Sequence, residues 1–135
     1  MKNQKKLVIE TNEKIKLIKS QQGELDAVIL YKKLSAVIKE TEYKEIFLKI
    51  AADEGKHAGI LRSYTQENLK PKGGKAAFII IMYKVLGLKF TLRILSKGEI
   101  KAANEYAFLV NKFHKINEIM KDEQRHGELM RNMYM

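Results

Sequence analysis

The chain contains the pattern Asp-Glu-x-x-His twice, at residues 53–57 and at residues 122–126. Residues three positions apart lie on one face of an α-helix, so each copy presents a carboxylate and an imidazole in the same direction. The surroundings of an upstream glutamate are repeated as well, as a Gly-Glu pair with a tyrosine seven positions after the glutamate. The repeated residues are Gly23, Glu24 and Tyr31 in the first half, and Gly98, Glu99 and Tyr106 in the second. The sequence therefore predicts a duplicated helical hairpin in which each half supplies Glu and then Glu-x-x-His.

The composition favours an all-α protein in which any metal binds through oxygen and nitrogen. The 135 residues include one proline and no cysteine. The lack of cysteine excludes disulfides, thiolate metal sites and Fe–S clusters. The chain is rich in Lys, Glu, Leu, Ile and Ala, which favour helix over strand. One domain is expected, over residues 1–135, because a chain of this length buries one core.

The periodicity of apolar residues predicts a four-helix bundle made of two helical hairpins joined by a long crossover helix. The first hairpin is expected over about residues 12–69, the crossover over about residues 70–97, and the second hairpin over about residues 98–134. Thr41 is expected to cap the second helix and Pro71 to close it. A bend is expected at Gly87.

Four glutamates and two histidines fall on the inner faces of the predicted helices. These candidate metal ligands are Glu24, Glu54, His57, Glu99, Glu123 and His126. A buried charge costs several kcal/mol unless it is compensated, and two divalent cations would match four carboxylates with two neutral imidazoles. A single glutamate beside a histidine is more often an ion pair, but two equivalent sets favour a two-metal site. Oxygen and nitrogen ligands suit Fe(II) or Mn(II), and Zn(II) is compatible with them.

Two further pairs of residues are candidates to support these ligands. Asp53 and Asp122 precede the ligand glutamates, and a metal-bound imidazole normally donates its other N–H to a carboxylate. Each aspartate is therefore a candidate partner for the histidine of the other repeat, the alternative being a solvated surface carboxylate. Tyr31 and Tyr106 are candidates to hydrogen-bond a ligand carboxylate across the bundle, the alternative being ordinary core packing.

The formal charge is +10, and residues 75–97 combine many apolar residues with lysine and arginine. No acidic residue occurs between Glu67 and Glu99. We expect the apolar face of this segment to cover the bundle, the alternative being docking to a membrane or to another subunit. Its excess of apolar residues favours a homodimer. Nucleic-acid binding is not favoured, because the basic residues are spread over many helical faces.

No segment reaches the length of about 20 apolar residues that a membrane-spanning helix needs. The residues from Met1 to Lys6 lack the apolar stretch of a secretory signal. A cytoplasmic protein is therefore expected.

The sequence from Glu24 to Met130 resembles the ferritin-like superfamily, and within it the rubrerythrin-type di-iron domains. The residues that carry the resemblance are Gly23, Glu24, Tyr31, Asp53, Glu54, His57, Ala58, Gly59, Ile60, Leu61, Gly98, Glu99, Tyr106, Asp122, Glu123 and His126. The resemblance implies a ferritin-like fold and two iron ions that Glu54 and Glu123 bridge. It implies terminal binding by Glu24 and Glu99, with the two histidines completing the site. It also implies that the reduced site reacts with hydrogen peroxide or dioxygen.

The chain departs from rubrerythrins in two ways. Rubrerythrins carry another glutamate three residues after the one that matches Glu99, and Ala102 occupies that position here. The ligand set is thus closer to bacterioferritin-like sites. A rubrerythrin proper also has a rubredoxin domain with four cysteines, which this chain lacks, so electrons are expected from a donor protein in trans. The segment 86–99 resembles the linker of ferritin-like domains fused to vacuolar-iron-transporter-type membrane domains, which implies contact with a membrane iron transporter.

Two functions from different classes remain open at this point. The first is a di-iron oxidoreductase of the peroxidase or ferroxidase type, acting in oxidative stress or iron handling. The second is a non-catalytic module that binds iron and delivers it to an iron store or transporter. Repeated turnover with an electron donor is expected of the first and not of the second.

Overall fold

The computed structural model describes residues 7–135, and within this range it contains five α-helices and no strand. The helices are α1 (Thr11–Val37), α2 (Thr41–Thr65), α3 (Gly74–Leu86), α4 (Leu88–Tyr106) and α5 (Ile116–Tyr134). Helix α1 packs along α2 and α4 packs along α5, while α3 connects the two hairpins. The predicted all-α class and the bundle of two hairpins with a crossover helix are confirmed. The prediction that a secretory signal is absent concerns Met1 to Lys6, which lie outside the described residues.

The crossover helix is shorter than the predicted range of residues 70–97. Helix α3 ends at Leu86, and Gly87 adopts a φ of 87°, a left-handed conformation that favours glycine. The chain bends there, and α4 begins at once and continues through the predicted boundary at residue 98. One buried face runs along the whole of α4 at helical spacing, which explains why no break occurs. Its members include Leu92, Leu95, Glu99, Ala103 and Tyr106.

The ends of α2 differ in detail from the prediction. Glu40 occupies the position before the first turn, so Thr41 is the first helical residue and the prediction of Thr41 as the cap is wrong. The helix ends at Thr65, well before Pro71. The reason is that Gln66 adopts a left-handed conformation with φ of 59°, which turns the chain out of the helix.

The connection between α2 and α3, residues 66–73, is hydrogen-bonded to α1. Gln21 and Gln22 donate side-chain N–H groups to backbone carbonyls of the connection, at 3.0 and 2.8 Å. Asp26 accepts the backbone N–H of Lys72 at 2.7 Å. These bonds satisfy backbone groups that lie outside any helix and hold the start of α3 beside α1.

Two apolar clusters fill the bundle, one on each side of a buried polar layer. The larger contains Ala27, Leu30, Tyr31, Leu34, Ile38, Phe47, Ile50, Ala51, Ala76, Ile79, Leu92, Leu95 and Met130. The smaller contains Leu17, Leu61, Tyr106, Phe113, Ile116 and Ile119. In all four bundle helices the buried glutamate and histidine positions fall between residues of the two clusters. In α1, for example, Leu17 precedes Glu24 and Ala27 follows it.

Helix α3 covers the larger cluster with one face only. Ala76 and Ile79 are buried against the bundle, which agrees with the expected covering role. Phe78, Ile81 and Val85 are exposed to solvent on the opposite face. No helix within residues 7–135 has the length and apolar character needed to cross a bilayer.

Helices α4 and α5 approach closely at Gly127. A Cβ atom added there would lie 2.6 Å from Cδ1 of Ile100 and 3.1 Å from the backbone oxygen of Ser96. The Ser96 hydroxyl donates to the backbone carbonyl of Gly127 at 2.7 Å across the same contact. At the exposed Gly59 of α2, by contrast, an added Cβ would meet nothing within 4 Å in the described part of the chain.

The variants Gly127→Ala and Gly59→Ala test this packing. Both gain the same helix propensity, so their difference isolates the steric contact. We expect Gly127→Ala to have a free energy of unfolding lower than that of Gly59→Ala by about 1–3 kcal/mol, because overpacking displaces Ile100 or the backbone. Denaturant unfolding of both metal-free variants measures the difference. Equal unfolding free energies would contradict the close approach of α4 and α5.

Candidate metal centre

Each of the four bundle helices contributes to one buried cluster of acidic and imidazole side chains. The contributions are Glu24 from α1, Glu54 and His57 from α2, Glu99 from α4, and Glu123 and His126 from α5. None of the six is more than 6% exposed. The structure thus brings together all six residues predicted as metal ligands.

The six residues form two overlapping groups of four, and each group could hold a metal ion. One group is Glu24, Glu54, His57 and Glu123, and the other is Glu54, Glu99, Glu123 and His126. Within each group the nearest ligand atoms lie within 4.8 Å of one another. Glu54 and Glu123 belong to both groups and therefore lie between the two candidate ion positions. Glu24 and Glu99 each belong to one group only.

Distances between the donor atoms fit shared ions. Nδ1 of His57 lies 3.4 Å from carboxylate oxygens of both Glu24 and Glu54, and 3.1 Å from Oε1 of Glu123. Nδ1 of His126 lies 3.3 Å from Oε1 of Glu54 and 3.8 Å from Oε1 of Glu123. Two donors bound to one ion by bonds of about 2.1 Å lie about 3.0 Å apart at octahedral angles and about 3.4 Å apart at tetrahedral angles. The separations around His57 and the one between His126 and Glu54 match these values, while Nδ1 of His126 lies farther from Glu123 and from Oε2 of Glu99, the latter at 3.9 Å.

Every one of the six residues has a buried polar atom that lacks a hydrogen-bond partner in the described part of the chain. These atoms are Oε2 of Glu24, Oε1 of Glu54, Nδ1 of His57, Oε2 of Glu99, Oε1 of Glu123 and Nδ1 of His126. A buried polar atom without a partner costs about 1–3 kcal/mol, so six in one place require compensation. Two divalent cations at the shared centre would bind all six. The residues present therefore fit two metal ions.

Protons compensate the cluster when metal is absent. Burial raises the pKa of Glu54, and the carboxylates of Glu99 and Glu24 raise it further. Burial also raises the pKa of Glu123, and the nearby Glu99 carboxylate raises it further. Burial disfavours the charged form of His57, but the nearby carboxylates of Glu123, Glu24 and Glu54 together outweigh this and raise its pKa. Metal binding must therefore displace protons that the cluster holds at neutral pH.

Two tyrosines hydrogen-bond ligand glutamates across the bundle. The Tyr31 hydroxyl donates to Oε1 of Glu99 at 2.7 Å, and the Tyr106 hydroxyl donates to Oε1 of Glu24 at 2.9 Å. Each tyrosine lies in the opposite hairpin from its glutamate. Burial raises the pKa of both hydroxyls, so they remain protonated donors. Each bond occupies one carboxylate oxygen and leaves the other free to face the centre.

The two histidines contact the two aspartates in the same crossed manner. Nε2 of His57 lies 2.7 Å from Oδ2 of Asp122, and Nε2 of His126 lies 2.7 Å from Oδ2 of Asp53. Donation from Nε2 assigns the proton to that nitrogen and leaves Nδ1 as a lone-pair donor directed at the centre. Burial would raise the pKa of Asp122, but the combined effects of His57 and Arg125 outweigh burial and lower it.

Arg125, which the repeat does not single out, bridges both aspartates. Its Nη2 lies 3.1 Å from Oδ2 of Asp53 and 3.1 Å from Oδ1 of Asp122. The equivalent residue of the first repeat is Lys56, which instead pairs with Glu118 at 2.6 Å. In each repeat a basic residue directly precedes the histidine, which is a sequence feature that could have pointed to Arg125. The feature does not show which acidic residue the basic side chain contacts.

A cavity of about 440 Å³ between α1 and α4 reaches the cluster. Its inner wall includes four glutamates, and residues of α3 also line it. Among the lining residues, Lys19, Lys75 and Lys101 are exposed and lie towards solvent. The cavity provides a path by which a small molecule can reach the centre without unfolding the bundle.

Comparison with known proteins agrees with this geometry. The family model described as Rubrerythrin matches residues 16–134, a range that includes all six candidate ligands and their tyrosine and aspartate partners. There is no significant match among curated proteins or among solved structures. The match covers most of the chain and confirms the resemblance seen in the sequence. The chain therefore belongs to the rubrerythrin family.

Proposed function

We propose that the protein binds two iron ions and that the reduced pair reacts with hydrogen peroxide or dioxygen. The observation that carries the proposal is the set of six unpartnered donor atoms, arranged as two groups that share Glu54 and Glu123. Four carboxylates balance two divalent ions and provide the hard oxygen donors that iron and manganese prefer. Zn(II) or Mn(II) is proposed to occupy the same positions as a substitute.

The bound ion pair would supply the redox chemistry, and the protein supplies position and access. Tyr31 and Tyr106 hold Glu99 and Glu24 in place by donating to one oxygen of each carboxylate. The Asp–His pairs fix the imidazole orientation. The cavity between α1 and α4 is large enough to admit a peroxide or dioxygen molecule.

The electron donor is proposed to be another protein. These 135 residues contain no cysteine and therefore hold no thiolate iron centre that could supply the electrons. Repeated reduction of an oxidant therefore requires electrons from outside the chain. In this role the protein would protect a cell from peroxide or participate in iron handling, from a cytoplasmic location.

The first experiment measures iron binding and turnover. Anaerobic titration with Fe(II) is expected to saturate at two ions per chain. Rapid mixing with hydrogen peroxide should then oxidise the iron, and added reductant should restore a second and later cycles. Glu54→Gln removes a shared ligand and is expected to lower the stoichiometry and abolish turnover. Glu118→Gln, which changes an exposed glutamate paired with Lys56, is the matched control and should leave both unchanged.

Two results would contradict the redox proposal. Stoichiometric uptake and release of iron without any oxidation by peroxide or dioxygen would instead support a delivery module. Failure to bind any iron, with the helical fold intact, would contradict the proposed metal site itself.

Metal should also stabilise the fold, because it compensates six buried polar atoms. We expect Mn(II) or Zn(II) at a hundredfold excess over the dissociation constant to raise the unfolding free energy by about 2.7 kcal/mol per independent site. Thermal unfolding with metal, and again after a chelator, measures the effect. In Glu54→Gln the stabilisation should shrink, while in Glu118→Gln it should persist. A melting temperature that does not respond to metal would contradict the prediction.

Arg125 is expected to tune metal affinity through the aspartates. Asp122→Asn removes the carboxylate that orients His57 and should weaken metal binding about 10–100-fold. Arg125→Gln leaves both aspartates in place without their shared cation and should weaken binding by a smaller factor. Lys56→Gln, at the equivalent position of the other repeat, is the control and should have no effect. Competition with a chromophoric chelator measures all three variants, and equal effects of Arg125→Gln and Lys56→Gln would contradict the role of Arg125.

A further inference from the structure

Helix α3 carries apolar residues on two opposite faces. Ala76 and Ile79 are buried against the bundle, whereas Phe78, Ile81 and Val85 are 62%, 61% and 74% exposed. The exposed residues are spaced by three and four positions, so they form one line along the outer surface of the helix. An outer stripe of large apolar side chains on a small bundle marks an interaction surface.

The charges on the segment that carries the stripe all have one sign. Lys75 and Lys84 are exposed on the same helix, and Lys89 follows immediately after the bend at Gly87. The whole segment between Glu67 and Glu99 contains seven basic residues and no acidic one. The surface is therefore an apolar line inside a basic border, and its complement is an anionic surface with an apolar interior.

We propose that the outer face of α3 binds an anionic lipid bilayer as an interfacial helix. Phe78, Ile81 and Val85 would enter the boundary between headgroups and acyl chains, and the lysines would contact lipid phosphates. A helix of 13 residues spans about 20 Å, so it lies along the membrane plane rather than across it. This inference does not depend on the metal site.

The border of positive charge favours lipid over the other possible occupants. A second copy related by a twofold axis would place the stripe against itself and the same lysines near one another, with no acidic residue of this segment to pair with them. Nucleic acid would satisfy the lysines, but its phosphates offer no partner for a line of exposed Phe, Ile and Val. An anionic bilayer satisfies both parts of the surface.

Co-sedimentation of the full chain with vesicles tests the proposal. We expect binding to vesicles of equal parts phosphatidylcholine and phosphatidylglycerol, weaker binding to phosphatidylcholine alone, and a decrease as salt is raised above about 0.1 M. Ile81→Glu and Lys84→Glu should each lower binding to the anionic vesicles about tenfold or more, since each basic charge near the surface contributes about fivefold. Both positions are exposed, so circular dichroism should show an unchanged helical fold.

Two matched controls distinguish binding through this face from unspecific binding by any exposed apolar residue and from attraction by net charge. Phe108→Glu changes an apolar residue that is 88% exposed in the connection between α4 and α5. Lys49→Glu makes the same charge change at an exposed position of α2. Each control variant lowers the net positive charge of the protein and so weakens its general attraction to anionic lipid. Beyond that effect, neither should lower vesicle binding by more than about twofold.

Three outcomes would overturn the proposal. One is no sedimentation of the wild-type chain with anionic vesicles. Another is equal loss in Lys49→Glu and Lys84→Glu with no loss in Ile81→Glu, which would mean unspecific attraction of a basic protein. The third is a stable dimer in sedimentation equilibrium that Ile81→Glu dissociates, without vesicle binding, which would assign the face to a second copy.

Discussion

The burial of four carboxylates and two imidazoles at one level of the bundle is the constraint on which the rest of the fold depends. Each helix must place its ligand position at the same height, and apolar residues can fill the bundle only above and below that level. This explains why the core consists of two clusters rather than one. It also explains why the order of the clusters along α1 is reversed along α2, since the two helices run in opposite directions past the same polar layer.

The polar layer also connects the two hairpins. Four hydrogen-bonded pairs each join a residue of one hairpin to a residue of the other: Tyr31 with Glu99, Tyr106 with Glu24, His57 with Asp122, and His126 with Asp53. In all four pairs a residue of one repeat bonds to a residue of the other, so the bonds show the same twofold arrangement as the sequence repeat. Because the cavity lies between α1 and α4, these bonds tie the hairpins together at the level where apolar packing is interrupted. Bonds that orient the ligands thus also hold the two hairpins together.

The sequence predicted the parts of the structure that depend on local geometry. A spacing of three residues places Glu54 with His57 and Glu123 with His126 on inner faces, and the repeat implies that both sets meet. Other features depend on contacts that spacing does not encode. The sequence predicts the bend at Gly87, but the apolar and basic composition of residues 75–97 does not show that α4 begins directly after it and runs on to Tyr106. Arg125 reaches Asp53 from the other hairpin, a distance of 72 residues along the chain.

Helix α3 relates the outer surface to the candidate centre. Lys75 and Ile79 line the cavity that reaches the glutamates, while Phe78 and Ile81 lie on the outer side of the same helix. An occupant of the outer face would therefore lie about 10 Å, one helix diameter, from the cavity wall. The inner face of α3 closes one side of the larger apolar cluster, so displacement of the helix would change the cavity as well as the core. Helix α3 thus borders both the cavity and the larger apolar cluster on one side and exposes apolar residues on the other.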